Sequence, residues 1–184
     1  SKVYDRWVMR RKVRKLYREQ RFDMTHCRSY IAAEMGLRLK KKYGVKFLFD
    51  MRGFWADEKV DCGQWKQTSF FFRKVYRFYK KKEKEFLLNA DGIVSLTEAA
   101  VNELYKNEDY KNLTISVIPC CVDLGHFNYS KILAEDKETL KNQLGINQSK
   151  KIITYLGSVG GWYMTNEMFS FFSTLCRQNP DFVM

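Results

Sequence analysis

At 184 residues, with 33 Lys+Arg against 21 Asp+Glu, the chain carries a formal net charge of +12. A hydrophobic share of 45 %, 10 glycines and 2 prolines exclude a disordered, collagenous or linker-rich polypeptide. No apolar run approaches the roughly 18–20 residues of a membrane span. The N-terminal residues lack the apolar stretch of a secretory signal. Five cysteines, an odd number without metal-ligand spacing, suit a reducing cytosol. The expected location is therefore cytoplasmic.

In chain order, Lys2 to Gln20 is very basic but periodic, and Val3, Trp7, Met9, Val13, Leu16 and Tyr17 are expected on one helix face. Phe22 to Thr25 is short enough for a strand and would deliver His26 and Arg28 into the following turn. Ser29 is placed to cap a helix with an Ile31, Met35, Leu39 stripe, ended by Gly44. Val45 to Phe49 reads as a strand, Asp50 to Gly63 as a long loop, and Ser69 to Asn89 as an aromatic, basic helix. Ile93 to Leu96 is a strand, and Thr97 caps a helix through Tyr105. Ile115 to Ile118 is a further strand, closed by Pro119.

The texture then changes. Cys120 to Lys150 holds few core-type residues apart from a short helix over Thr139 to Leu144. Lys151 to Leu156 restarts the strand pattern, the turn Gly157-Ser158-Val159-Gly160-Gly161 follows, and Thr165 caps a helix that Asn179-Pro180 ends. Short apolar strands alternating with helices predict an α/β chain with parallel sheets. The expected division is a Rossmann-like domain over 1–130, an interdomain segment over 131–150, and the first βα unit of a second Rossmann-like domain over 151–184. Because the chain starts at Ser1 and stops on the apolar Phe182-Val183-Met184, it is expected to be an internal piece of a longer protein.

Ligands of open α/β sheets bind at the carboxyl ends of the strands. Four polar clusters stand there: His26-Cys27-Arg28-Ser29; Asp50-Met51-Arg52-Gly53 running on to Trp55, Asp57 and Glu58; Cys120-Cys121-Val122-Asp123 with His126; and the turn at Gly157. His26 can orient a substrate or act as a base, and Arg28 can clamp a phosphate or carboxylate. The alternative is a His bonded to a carbonyl and a solvated Arg. The Asp50–Glu58 segment either folds over a polar ligand or is an ion-pair network holding a connection. The glycine turn either admits a phosphate to backbone N–H groups or is only a tight turn. The helix Phe70 to Phe86 interleaves aromatics with cations, which suits an anionic membrane surface, a nucleic acid, or a core-facing aromatic stripe with solvated lysines. The first fifty residues alone hold 15 Lys/Arg against 5 Asp/Glu.

Taken in register, these segments resemble a known family. Asp23-x-x-His26-x-Arg28-Ser29, Phe49 to Glu58, Asn89 to Thr97, Val117 to Phe127, and Leu144-Gly145-Ile146 with Tyr155 to Ser158 are similar to bacterial family-four glycosyltransferases of the GT-B type. The resemblance implies two Rossmann-like domains facing across a cleft, the first lacking its opening strands here. It implies sugar transfer with retention from a nucleotide-sugar donor to a polysaccharide or lipid-linked acceptor, with no cofactor and no obligatory metal. His26, Arg28, Asp50 and Arg52 would line the acceptor-side domain, with Trp55, Asp57 and Glu58 as further loop contacts. Gly157, Ser158, Gly160 and Gly161 would lie beside the donor diphosphate. Two departures are visible: Cys120-Cys121 stands where the family often has Asn-Gly, and the Asp50 to Gly53 loop lacks a frequent His. The piece alone is expected to be inactive, and its basic surface to sit at the inner face of an anionic membrane. The rival readings are a basic nucleic-acid-binding module and a non-catalytic α/β scaffold.

Overall fold

The computed structural model describes residues 2–160 and 163–184, divided into compact units that meet between Cys120 and Cys121. In the first unit, β1 (Met24–Arg28), β2 (Lys46–Met51), β3 (Gly92–Ser95) and β4 (Ile115–Val117) form a parallel sheet in chain order. Crossovers run through α2 (Ser29–Tyr43), through α3 (Trp55–Asp61) and α4 (Phe70–Asn89), and through α5 (Glu98–Tyr105). The expected α/β parallel architecture is present.

Alternation along the strands sets the layers. Phe47, Phe49 and Met51 of β2 join Cys27 and Ile93 in a core closed by Ala33 and Leu37 of α2, Phe86 and Leu87 of α4, and Leu104 of α5. The intervening side chains Met24, His26, Arg28, Leu48, Asp50 and Val94 project the other way, and none of them is buried. One face of the sheet therefore carries the fold and the other stays accessible within this unit.

Gly36 explains how α2 comes so near the sheet. A Cβ at this position would stand 2.5 Å from the Cys27 sulfur and 2.7 Å from a Phe47 ring carbon. At the far end of the helix, Gly44 takes the left-handed conformation at φ 74° and its N–H bonds the Lys40 carbonyl, as its sequence position implied. The Asp91 carboxylate accepts from the Phe47 N–H at 2.8 Å and pairs with Lys40 at 2.7 Å, tying the entrance of β3 to β2 and α2. Lys40, and then that N–H, hold its acidity below the ordinary carboxylate value.

Helix α1 (Lys2–Gln20) docks through a stripe different from the one the apolar pattern suggested. The less exposed positions are Arg6, Val8, Arg10, Val13 and Tyr17, four of them spaced at helical period, whereas Trp7, Met9 and Leu16 are exposed. Arg6 and Arg10 both donate to Glu34 of α2. Two charge-assisted contacts onto one carboxylate outweigh the burial of further apolar side chains here.

Other expectations shift for local reasons. Strand β1 runs through Arg28, so His26 and Arg28 lie within the strand rather than in the turn. Ser29 does not cap α2; it is itself at φ 67° and the cap makes no side-chain bond. The expected loop after β2 contains α3, whose first turn holds Asp57 and Glu58, favourable against the helix dipole. The helix α6 (Ala134–Gln143) starts five residues early because Asp136 accepts from the Leu133 N–H at 2.9 Å. Thr97 accepts from the Ala100 N–H at 3.1 Å and caps α5 as expected.

In the second unit, β5 (Lys151–Ile152), α7 (Thr165–Gln178) and β6 (Phe182–Val183) form one parallel βαβ turn. The strand is shorter than Lys151 to Leu156 because its only described partner ends at Val183. Thr165 does not cap α7; its hydroxyl instead accepts from the Gly160 N–H at 2.8 Å. No described residue from Cys121 onward is buried.

Two outcomes follow from these contacts. Gly36→Ala should lower stability by about 1–3 kcal/mol through overpacking, against the roughly 1 kcal/mol gain that Ala brings to an exposed helix interior; urea unfolding decides the sign. For Glu34, burial opposes ionisation, but hydrogen bonds and charge from Arg10 and Arg6 hold its acidity below the ordinary value of 4.5. A depressed carboxylate contributes stability above its unfolded value, and loses it as pH falls through the folded one. The urea midpoint should therefore drop as pH falls below 4.5, and Glu34→Gln should cost about 2 kcal/mol at neutral pH while flattening that acid dependence.

Candidate functional site

The register pairs Arg28 of β1 with Asp50 of β2, and β-sheet alternation sets His26 on the same face two residues earlier. His26 Nε2 lies 3.1 Å from Asp50 Oδ2, and Arg28 Nε lies 4.0 Å from the same oxygen. The Asp50 side chain is 13 % exposed while those of His26 and Arg28 are 57 % and 61 % exposed. A shielded carboxylate thus orients an accessible imidazole and holds a guanidinium near it. Such a trio offers donors and an acceptor to hydroxyl groups or a phosphate.

At the carboxyl ends of β1 and β2 lies a cavity of about 130 Å³, lined by Ser29, Tyr30, Arg52, Gly53, Trp55 and Glu58. Gly53 permits it, since a Cβ there would come within 2.5 Å of the Glu58 carboxylate. Ser29 sits at its rim with left-handed backbone, an uncommon conformation for a residue with a side chain. Among the described residues neither Arg52 nor Glu58 makes a salt bridge.

Beside this cavity runs an ion-pair network of the kind expected as the alternative for the Asp50–Glu58 segment, but centred on Glu83, which the sequence did not mark. Tyr30 donates to Glu83, which is 3 % exposed. Glu83 also accepts from Lys80 at 2.5 Å, Lys80 reaches Asp57 at 2.8 Å, and Tyr76 donates to Asp57 at 2.7 Å. Burial and then the Glu83 charge push the Tyr30 phenol far above its ordinary value, so it stays a donor. For Lys80, burial opposes the charge, but Asp57 and Glu83 prevail and raise it. Trp55 is enclosed by Tyr30, Trp65 and Tyr79, with centroids 5.6, 5.4 and 4.7 Å away.

The structure therefore separates the sequence candidates. His26, Arg28 and Asp50 come together on the accessible sheet face; Arg52 and Glu58 meet at the small cavity. Trp55 lines that cavity and is packed among other rings, while Asp57 is held in the ion pair with Lys80. The only hint of Glu83 in the sequence was its place in the aromatic helix, one turn from Phe86 and Leu87 on the core side.

In the second unit the glycine turn is braced from within. Tyr155 donates to the Ser158 carbonyl at 2.6 Å, and the Gly160 N–H is engaged by Thr165. Gly160 is at φ 90° with open space where a Cβ would stand, and Gly157 lies close under the Tyr155 ring. Gly161 falls outside the described residues. No group of three or more His, Cys, Asp or Glu among the described residues could hold a metal ion.

Comparison with known families settles the class of this domain. The sequence model of glycosyltransferase family 4 matches residues 1–126. The chain belongs to that family. No curated protein matches it. The parallel four-stranded sheet with flanking helices is that of a Rossmann-like GT-B domain, and the family's work is glycosyl transfer between a sugar donor and an acceptor. In this family-4 domain, the accessible His26–Arg28–Asp50 face and the Arg52–Glu58 cavity lie inside the matched span.

Removing the Glu83 carboxylate tests the network under the site. Glu83→Ala takes the acceptor from the buried Tyr30 hydroxyl and one of the two carboxylates from Lys80, and should cost about 3–5 kcal/mol in chemical denaturation. A cost below 1 kcal/mol would show that Lys80 and Asp57 suffice without it.

Proposed function

We propose that this family-4 domain serves a retaining, nucleotide-sugar-dependent hexosyltransferase that builds a cell-surface glycan on a polysaccharide or lipid-linked acceptor. It works in the cytoplasm, peripherally at the inner face of the membrane. His26, Arg28, Asp50 and Arg52 contact sugar hydroxyls or phosphate, with Glu58 as a further acceptor at the small cavity. Trp55 and Asp57 act by holding that cavity's wall. The turn at Gly157, Ser158, Gly160 and Gly161 takes the donor diphosphate.

The observation that supports this reading most is the His26–Asp50 pair at 3.1 Å with Arg28 beside it. A carboxylate that is itself shielded fixes the ring's orientation and leaves the other imidazole nitrogen open to a ligand. As the glycosidic bond to the donor breaks, negative charge collects on the leaving diphosphate. Cations and oriented N–H groups placed at that diphosphate would lower the barrier without reorganising. The reaction needs no group beyond the two substrates.

Saturation-transfer NMR on the complete reading frame that contains this chain, with UDP-, GDP- and other nucleotide-sugars, tests the proposal. One donor should saturate selectively, and Gly157→Trp should abolish the signal. His26→Ala should cut transfer by about 100-fold, the ordinary span for a positioned acid–base group, while the fold is retained. Absence of selective saturation by any donor would overturn the reading and favour a scaffold that has kept only the fold.

A further inference from the structure

The net charge is concentrated in two helices. Helix α1 carries eight Lys/Arg against two acids and α4 carries seven against two, a net +11 of the chain's +12. Some of these cations hold the fold: Arg6 and Arg10 on Glu34, Lys80 on Asp57 and Glu83, Lys82 on Glu85, Lys84 on Asp109. Others do not. Arg11, Arg14, Arg73, Lys74, Arg77 and Lys81 are exposed and make no salt bridge among the described residues.

Large rings stand among them. Tyr4, Phe70 and Phe71 are 62 %, 65 % and 67 % exposed, with Trp7 and Phe78 also open. Arg11 lies over the Trp7 ring at 4.2 Å and Lys74 over Phe70 at 4.5 Å. On α4, Phe71, Lys74, Phe78 and Lys81 recur at spacings of three and four, one outward stripe of the helix. Arg6 of α1, whose guanidinium is 5.9 Å from the Phe78 centroid, joins that stripe to α1. The core does not explain these rings, because the core face of α4 is made by Glu83, Phe86 and Leu87.

We infer that the outward faces of α1 and the first half of α4 form a docking surface for an anionic bilayer. The exposed rings enter the headgroup–acyl boundary and the unpaired cations hold the anionic headgroups. Aromatic side chains combined with Lys and Arg on a helix stripe are suited to lying in the plane of that interface. No helix among the described residues is long and apolar enough to cross a membrane, so attachment by this surface is in-plane. A single-stranded nucleic acid also takes cations and rings, but from a groove that tracks its backbone; here they stand on helix stripes. The inference deepens the peripheral location proposed above, and lipid binding is read without any sugar chemistry, so the two can fail separately.

Co-sedimentation of the chain with vesicles tests it, using phosphatidylcholine alone or with about one third phosphatidylglycerol. Binding should require the anionic lipid and weaken as salt is raised. The combined Lys74→Glu, Arg77→Glu, Lys81→Glu variant touches no salt bridge and should bind about 100-fold more weakly, with an unchanged far-ultraviolet spectrum. Trp7→Ser with Phe71→Ser should still bind at low salt but lose the salt-resistant part. Equal binding to both vesicle types, no binding by the folded chain, a triple variant that binds like the parent, or stronger binding to a single-stranded oligonucleotide than to the anionic vesicles would each overturn the inference.

Discussion

Period-two alternation along β1 and β2 is the constraint on which the rest of this structure depends. Phe47, Phe49 and Met51 must point toward α2 and α4 to make a core at all. Once they do, Leu48 and Asp50 have no choice of face, and the parallel register brings Arg28 opposite Asp50. The polar trio is thus a by-product of packing geometry. A one-residue slip of β1 would send His26 and Arg28 into the core face and leave Cys27 exposed.

Charge is spent in two distinct ways within one unit. Where carboxylates are scarce and shielded, as at Glu34 and Glu83, each gathers two or more donors and fixes one helix against another. These contacts need low exposure to be worth more than a surface pair. Where cations outnumber acids, on the outward sides of α1 and α4, they are left over and exposed. The same residue types therefore act as internal fasteners where they are shielded and stand open to solvent where they are not.

Much of this was legible in the sequence. The strands, the order of crossovers, the Thr97 cap and the Gly44 stop came from apolar runs and capping chemistry, which are local signals. The errors are tertiary. The apolar pattern of α1 points to a docking stripe, but its contact with α2 runs through Arg6 and Arg10, a choice set by Glu34 across 24 to 28 residues. Helix α3 was missed because a seven-residue helix flanked by aromatics leaves little periodicity to read. At the site, the candidates His26, Arg28 and Asp50 do converge. Their placement on the sheet face, rather than in the turn, followed from β1 being longer than its apolar run. Nothing local marked Glu83 as a buried acid or Gly36 as a point of close approach. Both depend on neighbours supplied by other elements.

The central claim is that one sheet face holds the fold while the other is free to bind. Thermal unfolding of Phe49→Ala beside Asp50→Asn, two adjacent residues of β2, tests it most directly. Phe49→Ala should cost about 3–5 kcal/mol. Asp50→Asn should cost no more than about 1 kcal/mol, because both its partners are open to solvent, while abolishing saturation transfer from a nucleotide-sugar bound to the complete protein. If Asp50→Asn instead destabilised the chain as much as Phe49→Ala, the polar trio would be part of the fold and the division of the sheet into a structural and a binding face would be wrong.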